Sequence, residues 1–266
     1  MELELPIHID LTDPTTSTER DDRRSDIRRR ICSNGCDRPI NVCLCDTIPT
    51  EPILTCTQIV ILQHPHERHH KLATVPVLAK CLRNCQIVIG RRLRCGDSPL
   101  LDSLYNAALE NPNIPFRAIY LFPGTDSSSS MEISKWRSSL NDPYLSNYVL
   151  IAFDGTWKHA KEMVHASLHF VSKFAFRVCL NYDVDIDGGT IFDSELILRK
   201  EPFSGCMSTM EAIARTLQVL EPNGGEIEDR LVEVLRAMVG FQAYYLKPMK
   251  PRPKSLKKGK GVEMKT

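Results

Sequence analysis

The segment from Val149 to Val164 constrains this chain more than any other. Five consecutive apolar residues, Val149-Leu-Ile-Ala-Phe153, read as a buried strand and stop at Asp154-Gly-Thr-Trp157. Beyond Trp157 the period changes. Ala160, Met163 and Val164 are apolar while Lys158, Lys161 and Glu162 are polar, which is a helical stripe. Gly155 permits a tight strand-to-helix turn, and Thr156 can cap the helix. A strand that delivers a short polar stretch to a helix start is where open α/β proteins bind ligands. Asp154 would stand at that carboxyl edge, beside the free N–H groups of the helix. An Asp before Gly is also an ordinary turn residue, and a Trp at a helix start an ordinary core residue. The segment alone leaves both readings open.

The rest of the chain repeats the alternation. Strands are expected at Thr55–Leu62, Gln86–Ile89, Ala118–Phe122 and Phe176–Leu180, with a strand and loop over Glu195–Pro202. Helices are expected at Lys71–Arg83, Pro99–Glu110, Ala212–Leu220 and about Glu226–Leu246. Strands alternating with helices argue an α/β class with a mainly parallel sheet. There is no repeat of solenoid period. No G-x-G-x-x-G follows a strand and no P-loop is present, which disfavours the usual dinucleotide enzymes and NTPases. Asp126–Ser130 reads as a flexible loop, and Asp183–Gly189 as a turn whose spacing fails the EF-hand pattern.

Four cysteines, Cys32, Cys36, Cys43 and Cys45, fall in a Gly- and Pro-containing stretch with little core of its own. Two close thiolate pairs suit a tetrahedral Zn2+, and such a loop gains its fold from the metal. The spacings, C-x3-C and C-x-C, differ from the common knuckle. The role expected is structural. Farther on, His64, His66, His69 and His70 crowd one loop. With Pro65 beside them, a polar loop is favoured over a metal site. Arg91, Arg92 and Arg94 follow a strand end, where they suit phosphates or simply solvent. Ser208-Thr-Met-Glu211 is a capping box, in which Ser208 accepts from the third helical N–H and Glu211 reaches back to the cap.

The bulk composition, 42% hydrophobic and 25% charged, is that of a soluble globular chain, and no apolar run approaches a membrane span. Glu2, Glu4 and Asp10 stand where a signal peptide would be basic and then apolar, so an intracellular protein of cytoplasm or nucleus is expected, with reduced thiols. The net charge of +1 hides an asymmetry. Eight Lys and Arg follow Leu246 against the single acid Glu263, which leaves residues 1–246 at about −6. The parts are then a solvated leader (1–30), a four-cysteine knuckle (31–50), a catalytic domain (51–246) and a basic tail (247–266). The tail suits phosphate contact, solubilisation or nuclear import.

Asp154 to Trp157 matches the D-x-T-W signature of the DTW-domain proteins, the tRNA-uridine aminocarboxypropyltransferases. Three further blocks resemble that family in the same order. They are Gln63-His-Pro-x-Glu67 with Lys71 and Thr74, Leu121-Phe-Pro-Gly124, and Leu198-Arg-Lys-x-Pro202 with Ser208-Thr-x-Glu-Ala212. The cysteine layout resembles the family's N-terminal cluster. Departures are Ala73-Thr74 for a usual Thr-Asn pair and Phe122 for a usual Tyr. The resemblance implies a SPOUT-like knotted fold that binds S-adenosylmethionine. The implied reaction moves the 3-amino-3-carboxypropyl group to N3 of a tRNA uridine and releases methylthioadenosine. It implies Asp154 as the catalytic carboxylate, acting as general base, orienting the base edge or holding the ligand's amino group. Leu121, Pro123, Gly155, Thr156, Trp157, Leu198, Arg199, Ser208, Thr209 and Glu211 would line the donor site. His64, Lys71, Arg91, Arg92 and Arg94 would meet tRNA. No membrane or protein partner is expected. A SPOUT-type RNA methyltransferase and a non-catalytic zinc-containing RNA-binding protein are the other readings.

Overall fold

The computed structural model describes residues 30–33, 35–70, 72–112, 116–124, 129–140, 147–180 and 207–245. The expected elements over Asp183–Gly189 and Glu195–Pro202, residues 1–29 of the leader and the basic tail lie outside them, as do Lys71, Leu198 and Arg199.

Six strands are described: β1 (Gln58–Gln63), β2 (Cys85–Ile89), β3 (Ala118–Leu121), β4 (Met131–Glu132), β5 (Val149–Asp154) and β6 (Ala175–Cys179). They form one sheet in the order β2-β1-β5-β3-β6-β4, and every pairing is parallel. The mainly parallel sheet expected from the alternation is present. β5 sits between β1 and β3, so it is covered on both faces and both edges. All six of its residues are buried.

Six α-helices are found among the described residues: α1 (Val75–Cys81), α2 (Pro99–Glu110), α3 (Ile133–Ser138), α4 (Trp157–Val171), α5 (Thr209–Leu220) and α6 (Gly224–Tyr245). Strand alternation sends neighbouring side chains to opposite faces. Ile59, Ile61, Leu150 and Ala152 point to the side packed by α1, α3, α5 and α6. Val60, Leu62, Ile151 and Phe153 point to the side packed by α2 and α4. The result is three layers, with the sheet in the middle. Each fully buried Leu or Ile contributes about 1.5–3 kcal/mol.

Some boundaries differ from expectation. β1 begins at Gln58, because the backbone N–H groups of Cys56 and Thr57 are taken by the Glu221 carboxylate at 2.9 and 2.7 Å. α1 begins at Val75, with Pro76 in its first turn, where a missing N–H costs nothing. β4 and α3 were not expected at all. α3 is started by Glu132, whose carboxylate accepts from the N–H groups of Ser134 and Lys135.

Ahead of the sheet, Ile31 bridges Pro39 and a 3-10 turn spans Ile40–Val42. Gly35 has a φ of 98°, which favours glycine. Leu44 anchors the loop in the core on the α6 side, and Lys80 of α1 holds Asp37 at 2.8 Å.

Candidate functional site

The carboxyl edge of the sheet is where β1, β5 and the starts of α4 and α5 meet. Gln63 and Asp154 end their strands as register partners. The Gln63 amide donates to Asp154 Oδ2 at 3.0 Å, and the Thr209 hydroxyl donates to Oδ1 at 2.6 Å. Asp154 is 8% exposed. Both donors are uncharged, so these bonds orient the carboxylate without neutralising it. Thr209 is the first residue of α5. Its neighbour Ser208 is the cap and accepts from the Glu211 N–H at 3.1 Å, as the capping box requires. The Glu211 carboxylate, fully buried, accepts from Arg215 Nε at 3.3 Å.

The other face of the same edge belongs to α4. Thr156 caps it by accepting from the His159 N–H at 3.3 Å. Trp157 is half-buried, with its ring 6.0 Å from that of Phe122. Arg177 holds the Phe122-Pro123 turn by donating to both carbonyls. Leu121 is half-buried against the core and Pro123 is exposed. A side chain at Gly155 would be tightly placed. A Cβ there would lie 3.0 Å from the His159 Cβ and 3.2 Å from the Met163 methyl.

His64 is 3% exposed, and its ring lies flat on His159, with centroids 3.8 Å apart and planes 9° from parallel. His66 meets both edge-on. Burial, then the facing His159 and His66 and then Arg91, hold the His64 imidazole below its ordinary pKa, against an upward pull from Glu67. His64 is therefore part of the wall, whereas Arg91, Arg92 and Arg94 are exposed beyond β2.

The four cysteines come together. Cys32 Sγ lies 3.5 Å from Cys45 and 3.4 Å from Cys43, and Cys36 Sγ lies 3.5 Å from Cys43. Sulfurs on one zinc at 2.3 Å would be about 3.8 Å apart. The cluster has the size of a metal cage and could hold one. Burial pushes the Cys36 thiol up, but hydrogen bonds from the Leu44 and Arg38 backbone, Cys43 and Cys32 outweigh it and bring it to about 6. Hydrogen bonding to Cys32 and then burial push the Cys45 thiol up to about 12, and Cys43 is raised as well, so the case for a metal rests on four soft sulfur ligands gathered in one place.

Sequence reasoning missed the roles of Gln63, His66 and His159. Gln63 stood in a quoted block, but its contact with Asp154 depends on which strands are neighbours, which no local pattern shows.

Residues 29–243 match the family model for the DTW domain. The chain belongs to the DTW-domain family. Among DTW-domain relatives, it is 49% identical over 249 residues to tRNA-uridine aminocarboxypropyltransferase A of Arabidopsis thaliana, covering 91% of each chain. It is 32% identical to tRNA-uridine aminocarboxypropyltransferase 2 of Macaca fascicularis, over 81% of this chain and 64% of that one. The Drosophila melanogaster protein of the same name is 30% identical, over 81% and 76%. No solved structure matches. Among the described residues, no helix is long and apolar enough to cross a membrane.

Proposed function

We propose that this chain transfers the 3-amino-3-carboxypropyl group of S-adenosylmethionine to N3 of a tRNA uridine, with methylthioadenosine as the leaving product. The observation that carries the reading is the Asp154 carboxylate, fixed by Gln63 and Thr209 at the mouth of the D-x-T-W turn in a DTW-domain chain. Two relatives matched over most of this chain bear that activity in their names.

The residues present suit the donor. A cationic sulfonium and ammonium match a fixed anion, and an amino-acid carboxylate matches the free N–H groups of a capped helix start. When bound, S-adenosylmethionine supplies an activated carbon whose C–S bond is ready to break. The uridine N3 loses its proton to solvent, its lone pair forms the new N–C bond, and the electrons of the C–S bond go to sulfur. The protein has no nucleophile to make. It must align three atoms, and alignment alone is worth several kcal/mol. The bonds from Gln63 and Thr209 fix where the two carboxylate oxygens lie. We assign Asp154 to holding the donor's positive end, so that the methylene carbon rather than the methyl faces the uridine.

In this reading Leu121, Pro123, Gly155, Thr156 and Trp157 line the donor pocket with Ser208, Thr209 and Glu211. Leu198 and Arg199 join them from the fourth signature block. Trp157 stacks on an aromatic ring of donor or base. Arg91, Arg92 and Arg94, with Lys71 and the basic tail, supply salt-sensitive contacts to tRNA phosphates. Cys32, Cys36, Cys43 and Cys45 hold a structural Zn2+, and the domain is SPOUT-like.

Nucleoside mass spectrometry of tRNA incubated with the protein and S-adenosylmethionine tests the proposal. An added aminocarboxypropyl mass on uridine is expected. An added methyl mass would instead establish the methyltransferase reading. No change, with no donor binding by calorimetry, would leave a binding protein.

A further inference from the structure

On the α4 side of the sheet edge, opposite the Asp154 carboxylate, three imidazoles from two distant segments meet. We propose that His64, His66 and His159 form a site for a late first-row divalent cation such as Zn2+, separate from the four-cysteine loop.

One coordinating nitrogen from each histidine lies within 4.8 Å of the other two. Nitrogens on one tetrahedral zinc, at bond lengths of 2.0–2.1 Å, sit about 3.4 Å apart. Closing the site therefore asks for a shift of little more than about an ångström per ring. The His64 and His159 rings must tilt out of their stack so that both lone pairs aim at one point. His66 is exposed and can swing in.

The tautomers are suited to this. His64 Nδ1 accepts from the His66 N–H at 3.3 Å, so Nε2 is the nitrogen left to bind. His159 Nδ1 is buried and has no hydrogen-bond partner. A buried polar atom in that condition asks for a ligand, and an ion meets the need. Gly155 is what lets the segments approach, since a Cβ there would fall 3.0 Å from the His159 Cβ and 3.4 Å from the His64 Cβ. The charged groups facing His64 are Arg91 and Glu67. Imidazole donors select zinc, copper and nickel over magnesium and calcium. Three protein ligands leave a fourth position for water or another oxygen donor.

The test uses the full chain, equilibrated with micromolar Zn2+, desalted and assayed for zinc per chain. Wild type is compared with a His66→Ala/His159→Ala double variant and with a His69→Ala/His70→Ala control. Only the difference is read, so the content of the cysteine loop cancels. Wild type and control are expected to carry one zinc more than the double variant. Equal content in all three overturns the proposal, as does loss in the control alone. Should the double variant fail to fold, His66→Ala by itself, at an exposed position, must show the same loss. Added Co2+ gives a second readout. Visible bands lacking sulfur charge transfer should appear in wild type and be lost with His66→Ala, and their persistence there also overturns it.

Discussion

Gln63 and Asp154 are partners across the β1–β5 ladder, and the amide of the first donates to the carboxylate of the second at 3.0 Å. The bond joins backbone register to site chemistry. A slip of one residue would turn Gln63 to the other face and break its bond to Asp154.

Asp154→Asn keeps the shape and removes the charge. It should fold, with a melting temperature near wild type, and lose aminocarboxypropyl transfer by about a hundredfold or more, as loss of a preorganised electrostatic group does. Asp154→Ala also strands the Gln63 and Thr209 donors and should cost about 1–3 kcal/mol. Product counting and thermal melts check both. Full transfer by Asp154→Asn would remove the charge from the mechanism.

Gly155→Ala should destabilise by about 1–3 kcal/mol, the usual range for overpacking. The cause is space, because the new methyl presses on His159, Met163 and His64 together. Denaturant melts measure the loss. Restoring stability by shortening Met163 in the same chain would identify the clash.

Glu221 ends α5 and accepts the N–H groups of Cys56 and Thr57 ahead of β1. Both bonds involve a charged acceptor, and the residue is 7% exposed. Glu221→Ala should cost about 2–3 kcal/mol. Amide hydrogen exchange should quicken first at Cys56 and Thr57, and unchanged protection there would refute the tie.

Glu132 gives a pH-dependent case. Partial burial pushes its carboxyl up, but hydrogen bonds from Ser134 and Lys135, with the nearby Lys135 charge, outweigh it and leave the pKa below the ordinary value. A depressed folded pKa means stabilisation that is complete above the usual glutamate range. It is lost as pH falls through the lower folded value. The cap is partly solvated and worth about 0.5–1 kcal/mol. Wild type should therefore outlast Glu132→Gln in thermal melts at neutral pH, and the gap should close in acid. A gap independent of pH would show that the charge is irrelevant.

Local signals carried much of this. The apolar run of β5, the period change after Trp157 and the Ser208 cap are each fixed by neighbours in sequence, and each stands where the pattern put it. α3, at six residues, is too short to show a period. The expected helix from Lys71 lost its first turn because Pro76 belongs at a helix start and Thr74 occupies the cap position. The histidine-rich loop does read as a loop. What it meets could not be read, because His159 approaches from a helix beyond seven described intervening strands and helices. The Glu211 side chain was assigned to its own cap, whereas Arg215 one turn on engages it.

The place of β5 also sets an order of events during synthesis. Gln63 and Asp154 are 91 residues apart, so β1 leaves the ribosome long before the neighbour that completes it. Until then a nascent chain presents a bare apolar strand edge on each side of the gap, the kind of surface that chaperones guard. Pairings this remote also slow the search for the native state. A ribosome stalled short of Val149 would leave α1, α2 and α3 with neither the central strand nor the helix starts that frame the site, and so no place to work.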